Sequence, residues 1–254
     1  MSRSTSARVG GAWPTALVLP LLPLVWPVAA QAQSLSLDLG TGPSATGQIL
    51  RTVLMITVLS LAPSIIVMAT AFTRIVIVLS FLRTAIGLQQ TPPNPVLIGL
   101  ALFLTGFVMA PAFEEAWREG VQPMMAEEVD EAEGLARAAA PFRAFMLAQV
   151  RDEDLALFYE IAKVASPAAR EEVELRILLP AFSISELRRA FEIGFLVFVP
   201  FLVIDMVVAC VLMSMGMMML PPVMVSLPFK VIFFVLVDGW SLVVGSLARS
   251  FGPG

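Results

Sequence analysis

The stretch MSMGMMMLPPVMVSLPFK, residues 213–230, lies between two long apolar segments near the end of the chain. It contains six methionines and three prolines in 18 residues. Because proline lacks the backbone N–H that a helix interior needs, Pro221 and Pro222 predict the end of one helix and the start of another. The apolar segments 191–213 and 223–247 are then the two arms of a helical hairpin, with the methionines at its tip.

The composition of the chain is that of an integral membrane protein. Of the 254 residues, 58% are hydrophobic and 14% are charged, whereas a soluble domain has about 25% charged residues. The sequence contains no histidine, which excludes histidine-based acid–base catalysis, metal ligation and pH switching. Cys210 is the single cysteine, so no disulfide can form within the chain.

The first 32 residues have the pattern of a secretory signal peptide. Arg3 and Arg8 supply a basic start, and residues 16–29 are apolar. An Ala-Gln-Ala motif then predicts cleavage between Ala32 and Gln33, which would leave the mature N-terminus outside the cytoplasm. The alternative, an uncleaved first membrane helix, is disfavoured by three prolines within the apolar run.

The next apolar run, residues 49–88, is too long for one membrane crossing. As a single helix it would measure about 60 Å, twice the thickness of a bilayer core. Pro63 is expected to kink it, so we predict one spanning-length helix followed by a second apolar segment at 75–82. A Pro-rich turn at 89–95 and another apolar helix at 96–109 follow. Three arginines interrupt the run: Arg51, Arg74 and Arg83.

The segment 114–189 is predicted to be a helical, water-facing insertion. It holds 25 of the 36 charged residues, 16 acidic and 9 basic. Helix starts are predicted at Asp152 and at Pro167, which would occupy the favoured first position of its helix. Ser183 and Glu186 have the spacing of a capping box and predict the start of the next membrane helix.

Topology follows from four hydrophobic elements and an N-terminus outside the cytoplasm. The acidic insertion is then also outside, and both short turns point toward the cytoplasm. Arg74 and Arg83 agree with the excess of basic residues that cytoplasmic loops carry.

Three charged residues lie in the C-terminal apolar segments: Asp205, Lys230 and Asp238. Charges in spanning segments are costly and usually have a partner, so they are candidates for assembly contacts or for a proton relay. Asp205 and Lys230 lie at unequal distances from Pro221-Pro222, which leaves pairing within one chain or between subunits open. The spacing of Asp205 and Asp238 does not fit an aspartyl protease, and no P-loop motif occurs. We expect no enzymatic activity.

The methionines allow three interpretations. They can fill gaps in a packed core, or Met213, Met215 and Met217 can bind Cu(I) through their thioethers. In the third, a loop turning at Gly216 forms a soft plug that blocks a pore and repacks around a passing chain. The adjacent positions of Met217, Met218 and Met219 disfavour a one-sided core stripe, and the lack of histidine disfavours copper.

Nearly the whole chain after the signal peptide resembles the FliP proteins of the flagellar type III export gate and their virulence-secretion counterparts. The resemblance rests on residues 59–111, on PAFSISELRRAFEIGF at 180–195 and on FLVIDMVVACVLMSMGMMMLPPVMVSLPFKVIFFVLVDGW at 201–240. The cleavable signal and the acidic middle region are similar to the flagellar branch.

The resemblance implies a pore-forming subunit without catalytic activity or cofactor. Family members form a ring of identical copies, a pentamer, with the Q and R export-gate subunits and other flagellar export membrane components. Their substrates are unfolded flagellar proteins, and no nucleic acid is involved. The implied location is the flagellar basal body in the bacterial inner membrane, with much of the gate projecting to the periplasmic side. A small-molecule or Cu(I) permease is the alternative function.

The predicted fold is all-α and of the membrane export-gate type, with two hydrophobic helical hairpins flanking the acidic extracytoplasmic insertion. The predicted divisions are a signal peptide (1–32), a polar lead (33–48), the first hairpin (49–111), the periplasmic-side domain (112–190) and the second hairpin (191–254).

The resemblance also implies roles for individual residues. Those of the channel-sealing loop are Met217, Met218 and Met219, with Met213 and Met215 beside them. Those of a periplasmic-side constriction are the aromatics Phe145 and Phe158, with Arg151 and Glu186 as polar contacts. For the two aromatics, ordinary helix packing is the alternative. Asp205 and Lys230 match charged positions of the family's hairpin.

Overall fold

The computed structural model is all-helical over the residues that it describes, 43–252 without 89, 168 and 218. This confirms the predicted fold class. The predicted signal peptide, its cleavage site at Ala32 and Gln33, and most of the polar lead lie outside the described residues. The chain divides into two compact units, of which one ends at Val53 and the other begins at Leu54. The described residues of the first unit, 43–53, are the start of helix α1. All the contacts reported below lie within the second unit.

The long first apolar run forms two helices, as expected. Helix α1 is Pro43–Met68 and α2 is Phe72–Ile86, so the chain breaks after Met68 and the helix continues through Pro63. Helix α2 ends at Gly87, whose φ of +90° is readily adopted by glycine. The N–H groups of Gly87 and Leu88 donate to the carbonyls of Thr84 and Arg83 at 3.0 and 3.2 Å, which terminates the helix.

Helix α3, Asn94–Ala116, continues into a π-helix, Trp117–Val121, and a short α4, Gln122–Met125. The apolar helix is therefore longer than the predicted 96–109. Helix α5, Glu131–Gln149, starts at Asp130, whose carboxylate accepts a 2.7 Å bond from the Glu133 N–H. The π-helix approaches α5 closely, since a Cβ on Gly120 would lie 2.4 Å from the backbone nitrogen of Ala138.

Helix α6 is Asp152–Ala162, as its sequence predicted, but the helix predicted from Pro167 is wrong. A single 3₁₀ turn, Arg170–Glu172, occupies that region. Its backbone is held from outside: Arg143 donates to the carbonyls of Glu171 and Val173, the latter at 2.6 Å. Arg170 in turn donates to the Leu147 and Val150 carbonyls at 3.0 and 2.7 Å. These contacts replace the intrahelical bonds that a longer helix would have made.

Helix α7, Leu175–Ser214, runs for 40 residues without interruption. The predicted capping box is wrong, because Ser183 and Glu186 lie two to three turns inside this helix. The Ser183 hydroxyl donates to the Leu179 carbonyl at 2.9 Å, and Glu186 contacts α2. Helix α8, Pro222–Leu236, and α9, Gly239–Arg249, complete the chain and meet at a 64° bend.

Helix α2 lies at the centre of the packing. Its Ile75, Val78 and Leu79 are fully buried, and α7 crosses it so closely that a Cβ on Gly194 would lie 2.5 Å from the Phe81 ring. Within the described residues, Asn94–Met125 and Leu175–Ser214 are long and apolar enough to cross a membrane. The bent pair of α8 and α9 makes a third such element if it is one span.

Candidate functional site

The methionine-rich tip is a seven-residue loop, 215–221, between α7 and α8. Gly216 has a φ of +75°, which glycine adopts without a steric penalty. The N–H groups of Gly216 and Met217 donate to the carbonyls of Met213 and Leu212, both at 3.0 Å. This pair of bonds is the Schellman motif, and it satisfies the last carbonyls of α7. The turn expected at Gly216 and the helix start at Pro222 are both confirmed.

The loop methionines point away from the core of their own chain. The Met219 side chain is 98% exposed, and Met213, Met215 and Met217 are exposed as well. Met218 lies outside the described residues. The interpretation that these methionines fill a core within the chain is therefore wrong for the four described side chains. They form an apolar, flexible surface at the end of a rigid hairpin.

Asp205 and Lys230 pair across this hairpin within one chain. The Lys230 Nζ donates to Asp205 Oδ2 at 2.6 Å and to the Ala85 carbonyl of α2 at 3.1 Å. The Ser226 hydroxyl donates to the other Asp205 oxygen. Lys230 is buried, and its ammonium is thus held by a carboxylate and a carbonyl.

Asp205 and Lys230 lie at unequal distances from Pro221-Pro222, but these prolines are not the centre of the turn. Asp205 lies nine residues before the end of α7 at Ser214, and Lys230 lies eight residues after the start of α8 at Pro222. The two arms are therefore nearly equal when measured from the loop rather than from its prolines.

Asp238 lies at the bend between α8 and α9 and not inside either helix. It is exposed, and its backbone has a left-handed φ of +51°. If the two helices form one span, Asp238 lies at the break within it, so its role as an intramembrane charge stays a prediction.

Phe145 and Phe158 are partly buried and pack against the same core cluster, which includes Leu155, Leu178 and Phe182. The Phe145 ring lies 6.0 Å from the Phe182 ring and 6.1 Å from the Phe251 ring. Within the chain, these contacts are those of helix packing.

Arg151 and Glu186 occupy different surroundings. The Arg151 side chain forms a 2.7 Å ion pair with Glu153, and its backbone N–H donates to the Ser185 hydroxyl at 3.1 Å. Ser185 in turn donates to the buried Asp154 at 2.7 Å, which ties the start of α6 to α7. Glu186 is fully buried and forms an ion pair with Arg74.

This pair of Arg74 and Glu186 is the centre of a buried network that the sequence did not predict. The Arg74 Nε donates to Glu186 Oε2 at 2.8 Å, and a second guanidinium nitrogen contacts the other carboxylate oxygen. Further bonds reach the Gln149 side-chain oxygen at 3.0 Å and both the carbonyl and the hydroxyl of Ser250, at 2.9 and 3.0 Å. The guanidinium carbon also lies 3.8 Å from the centre of the Phe251 ring. Arg74 is fully buried and lies in helix α2, so it is not a loop charge of the kind that the positive-inside rule counts.

Sequence comparisons identify the chain's relatives. Residues 55–247 match the model of the FliP family. Flagellar biosynthetic protein FliP of Caulobacter vibrioides is 58% identical over 231 residues, which cover 91% of this chain and 87% of that protein. The protein of the same name from Bacillus subtilis is 54% identical over 209 residues, covering 82% and 95%. The one from Aquifex aeolicus is 46% identical over 226 residues, covering 88% and 94%.

A family match over most of the chain, together with identities near one half across distant bacteria, leaves one assignment: the chain belongs to the FliP family.

Proposed function

We propose that the chain is a pore-forming subunit of the flagellar type III protein-export gate, through which unfolded flagellar proteins pass. The relatives carry the name flagellar biosynthetic protein, which supports a role in building the flagellum. The long apolar helices support a membrane location. Partners are other components of the export apparatus, including further copies of this chain in a ring and the Q and R subunits.

The exposed methionine loop is the observation that carries the pore proposal. Four flexible apolar side chains project from a hairpin tip where they contact no core of their own chain. Copies of this loop around a common axis would meet there, exclude water and ions, and rearrange around a passing polypeptide. The Schellman motif at Gly216 and the pair of Asp205 and Lys230 fix the loop at the end of the hairpin.

The hairpin charges fit a structural role better than catalysis. Asp205 is bound by Lys230 and Ser226, and Asp238 lies at an exposed bend, so neither is arranged as half of a catalytic pair. The expectation that the chain is not an enzyme agrees with its family. The permease alternative gains no support from relatives that are all named as flagellar proteins.

Deleting the gene tests the proposal at the level of the cell. We expect loss of motility and loss of secreted flagellar proteins from the medium, with both restored by the intact gene. Copper tolerance should be unchanged. Normal motility together with altered copper tolerance would contradict the export-gate proposal and support the Cu(I) permease.

A further inference from the structure

The C-terminal residues 239–252 are attached to the rest of the chain at two points. At one end, the helical path is broken at Asp238, which has a left-handed backbone, and α9 leaves α8 at 64°. At the other end, Ser250 and Phe251 contact the buried Arg74 network. We call residues 239–252 the C-terminal strap.

Between these two points the strap is partly buried. Along α9, Gly239 and Leu247 are buried, whereas Trp240 and Leu242 are exposed. Val243 is half-buried and packs against the core as well, so apolar contacts of α9 contribute to holding the strap. The polar contacts are concentrated at the far end of the strap.

At that end, two groups of the core bind the strap. One terminal nitrogen of Arg74 donates to the Ser250 carbonyl at 2.9 Å and to its hydroxyl at 3.0 Å. The Gln149 amide donates to the Phe251 carbonyl at 3.2 Å, and the Phe251 ring lies on the guanidinium. Arg74 is at the same time held in place by Glu186, so the groups that bind the strap are preorganised.

The strap also forms one wall of a cleft of about 430 Å³. Ala248, Phe251 and Gly252 line it on one side, and Phe107, Pro111 and Phe145 line it on the others. The Phe251 ring is stacked on Phe145. Movement of the strap would therefore widen the cleft and uncover Phe145.

We propose that the strap is a conformational device, hinged at Asp238 and latched by Arg74 and Gln149, whose release opens the Phe145 cleft while α2 and α7 stay folded. The latch supplies the polar contacts that keep the strap closed over the cleft. This inference does not depend on the methionine loop.

Hydrogen–deuterium exchange of the full chain, purified with its natural partners in mild detergent, tests the latch. The first variant, Ser250→Gly with Phe251→Ala, removes the hydroxyl and the ring that contact Arg74, and it leaves the two backbone carbonyls and the pair of Arg74 and Glu186 in place. We expect exchange in residues 240–249 to accelerate about tenfold or more, with α2 and α7 unchanged. Arg249→Gln is the matched control, since it removes an exposed charge of the strap and should leave exchange at the wild-type rate.

A second variant, Arg74→Met with Glu186→Met, removes all the bonds that Arg74 makes to the strap without leaving either charge unpaired. It should accelerate exchange in the same residues. Unchanged exchange of the strap in both variants would show that α9 packing alone holds it and would overturn the proposal. Equal acceleration of the strap, α2 and α7 in both variants would also overturn it, because the network would then be part of the general core.

Discussion

At the scale of single residues, Arg74 shows what a buried charge requires. Its guanidinium has five N–H groups, and the five hydrogen bonds to Glu186, Gln149 and Ser250 use them all. A planar guanidinium can serve acceptors on three sides at once, whereas a lysine ammonium is a point charge with three donors. The site is therefore specific for arginine. Removing Glu186 would leave the buried Arg74 charge without its carboxylate, which is costly.

Glu186→Leu should destabilise the protein by about 3–5 kcal/mol, because it leaves the Arg74 charge buried without its carboxylate. The double variant Arg74→Met with Glu186→Leu should lose clearly less, since no charge is then left unpaired. Thermal unfolding in mild detergent, followed by circular dichroism, measures both. The single variant Arg74→Met completes the cycle; if the double variant loses as much stability as Glu186→Leu and Arg74→Met together, the two side chains are not coupled.

The control for that measurement lies on the same helix. Arg188 and Glu192 form an i,i+4 pair at 3.3 Å with both side chains more than half exposed. Removing one of them should cost at most about 1 kcal/mol, since exposed pairs contribute little. A loss as large as that of Glu186→Leu would indicate that the effect does not depend on burial.

At the scale of helices, the crossing of α2 and α7 depends on a missing side chain. Gly194 allows the Phe81 ring to lie where a Cβ would be only 2.5 Å from it. The ring of Phe81 also packs edge-on against Phe191, with 5.1 Å between centroids, so it has little freedom to move away. In packing this close, even one added methyl group displaces neighbouring atoms and strains the helix crossing.

Gly194→Ala should therefore lower stability by about 1–3 kcal/mol, despite the better helix propensity of alanine. Gly106→Ala in α3 is the matched control, because no atom lies within 4 Å of the added Cβ and the helix gains propensity at both sites. We expect the control to keep or raise the melting temperature. Equal behaviour of the two variants would argue against close contact at the crossing.

Local sequence patterns predicted the helix ends that depend on local chemistry. Gly216, Pro222 and the acidic start at Asp152 act through neighbouring residues, and each was found where it was expected. The helix after Pro167 failed because Arg143, 28 residues from Glu171, binds that backbone instead. The capping box failed because Glu186 is paired with a residue 112 positions away. No local pattern contains such a partner.

The candidate site divides in the same way. The methionine loop is a local feature and was predictable as a loop, although its exposure was not. The pairing of Asp205 with Lys230 required the true length of the turn, which places the two residues at nearly equal distances from it. The family resemblance supplied roles for individual residues. The structure gives the positions of the described ones in a single chain, and experiments on the assembly test the roles.

At the scale of the whole molecule, the network around Arg74 lies near the N-terminal end of α7 and the methionine loop follows its C-terminal end. Glu186 is in the N-terminal third of this 40-residue helix, and the loop follows its last residue, Ser214. A helix of that length extends about 60 Å. The polar network and the acidic helices thus belong to one part of the molecule, and the proposed seal belongs to another.

This separation predicts that the loop can be altered without loss of assembly. Met217 and Met219 are exposed, and the hairpin is fixed by Lys230 and Gly216, outside the substituted positions. The variant with all three changed to alanine should therefore co-purify with its partners at the wild-type level. Met125→Ala, at an exposed methionine outside the loop, is the control.

Ion conductance of the assembled gate in a planar bilayer tests the central claim most directly. The gate with three alanines in place of Met217, Met218 and Met219 should conduct ions steadily, because short side chains leave the axis open to water. The unaltered gate and the Met125→Ala control should stay closed. A fully assembled triple variant that stays closed would contradict the account of the methionine loop as the seal.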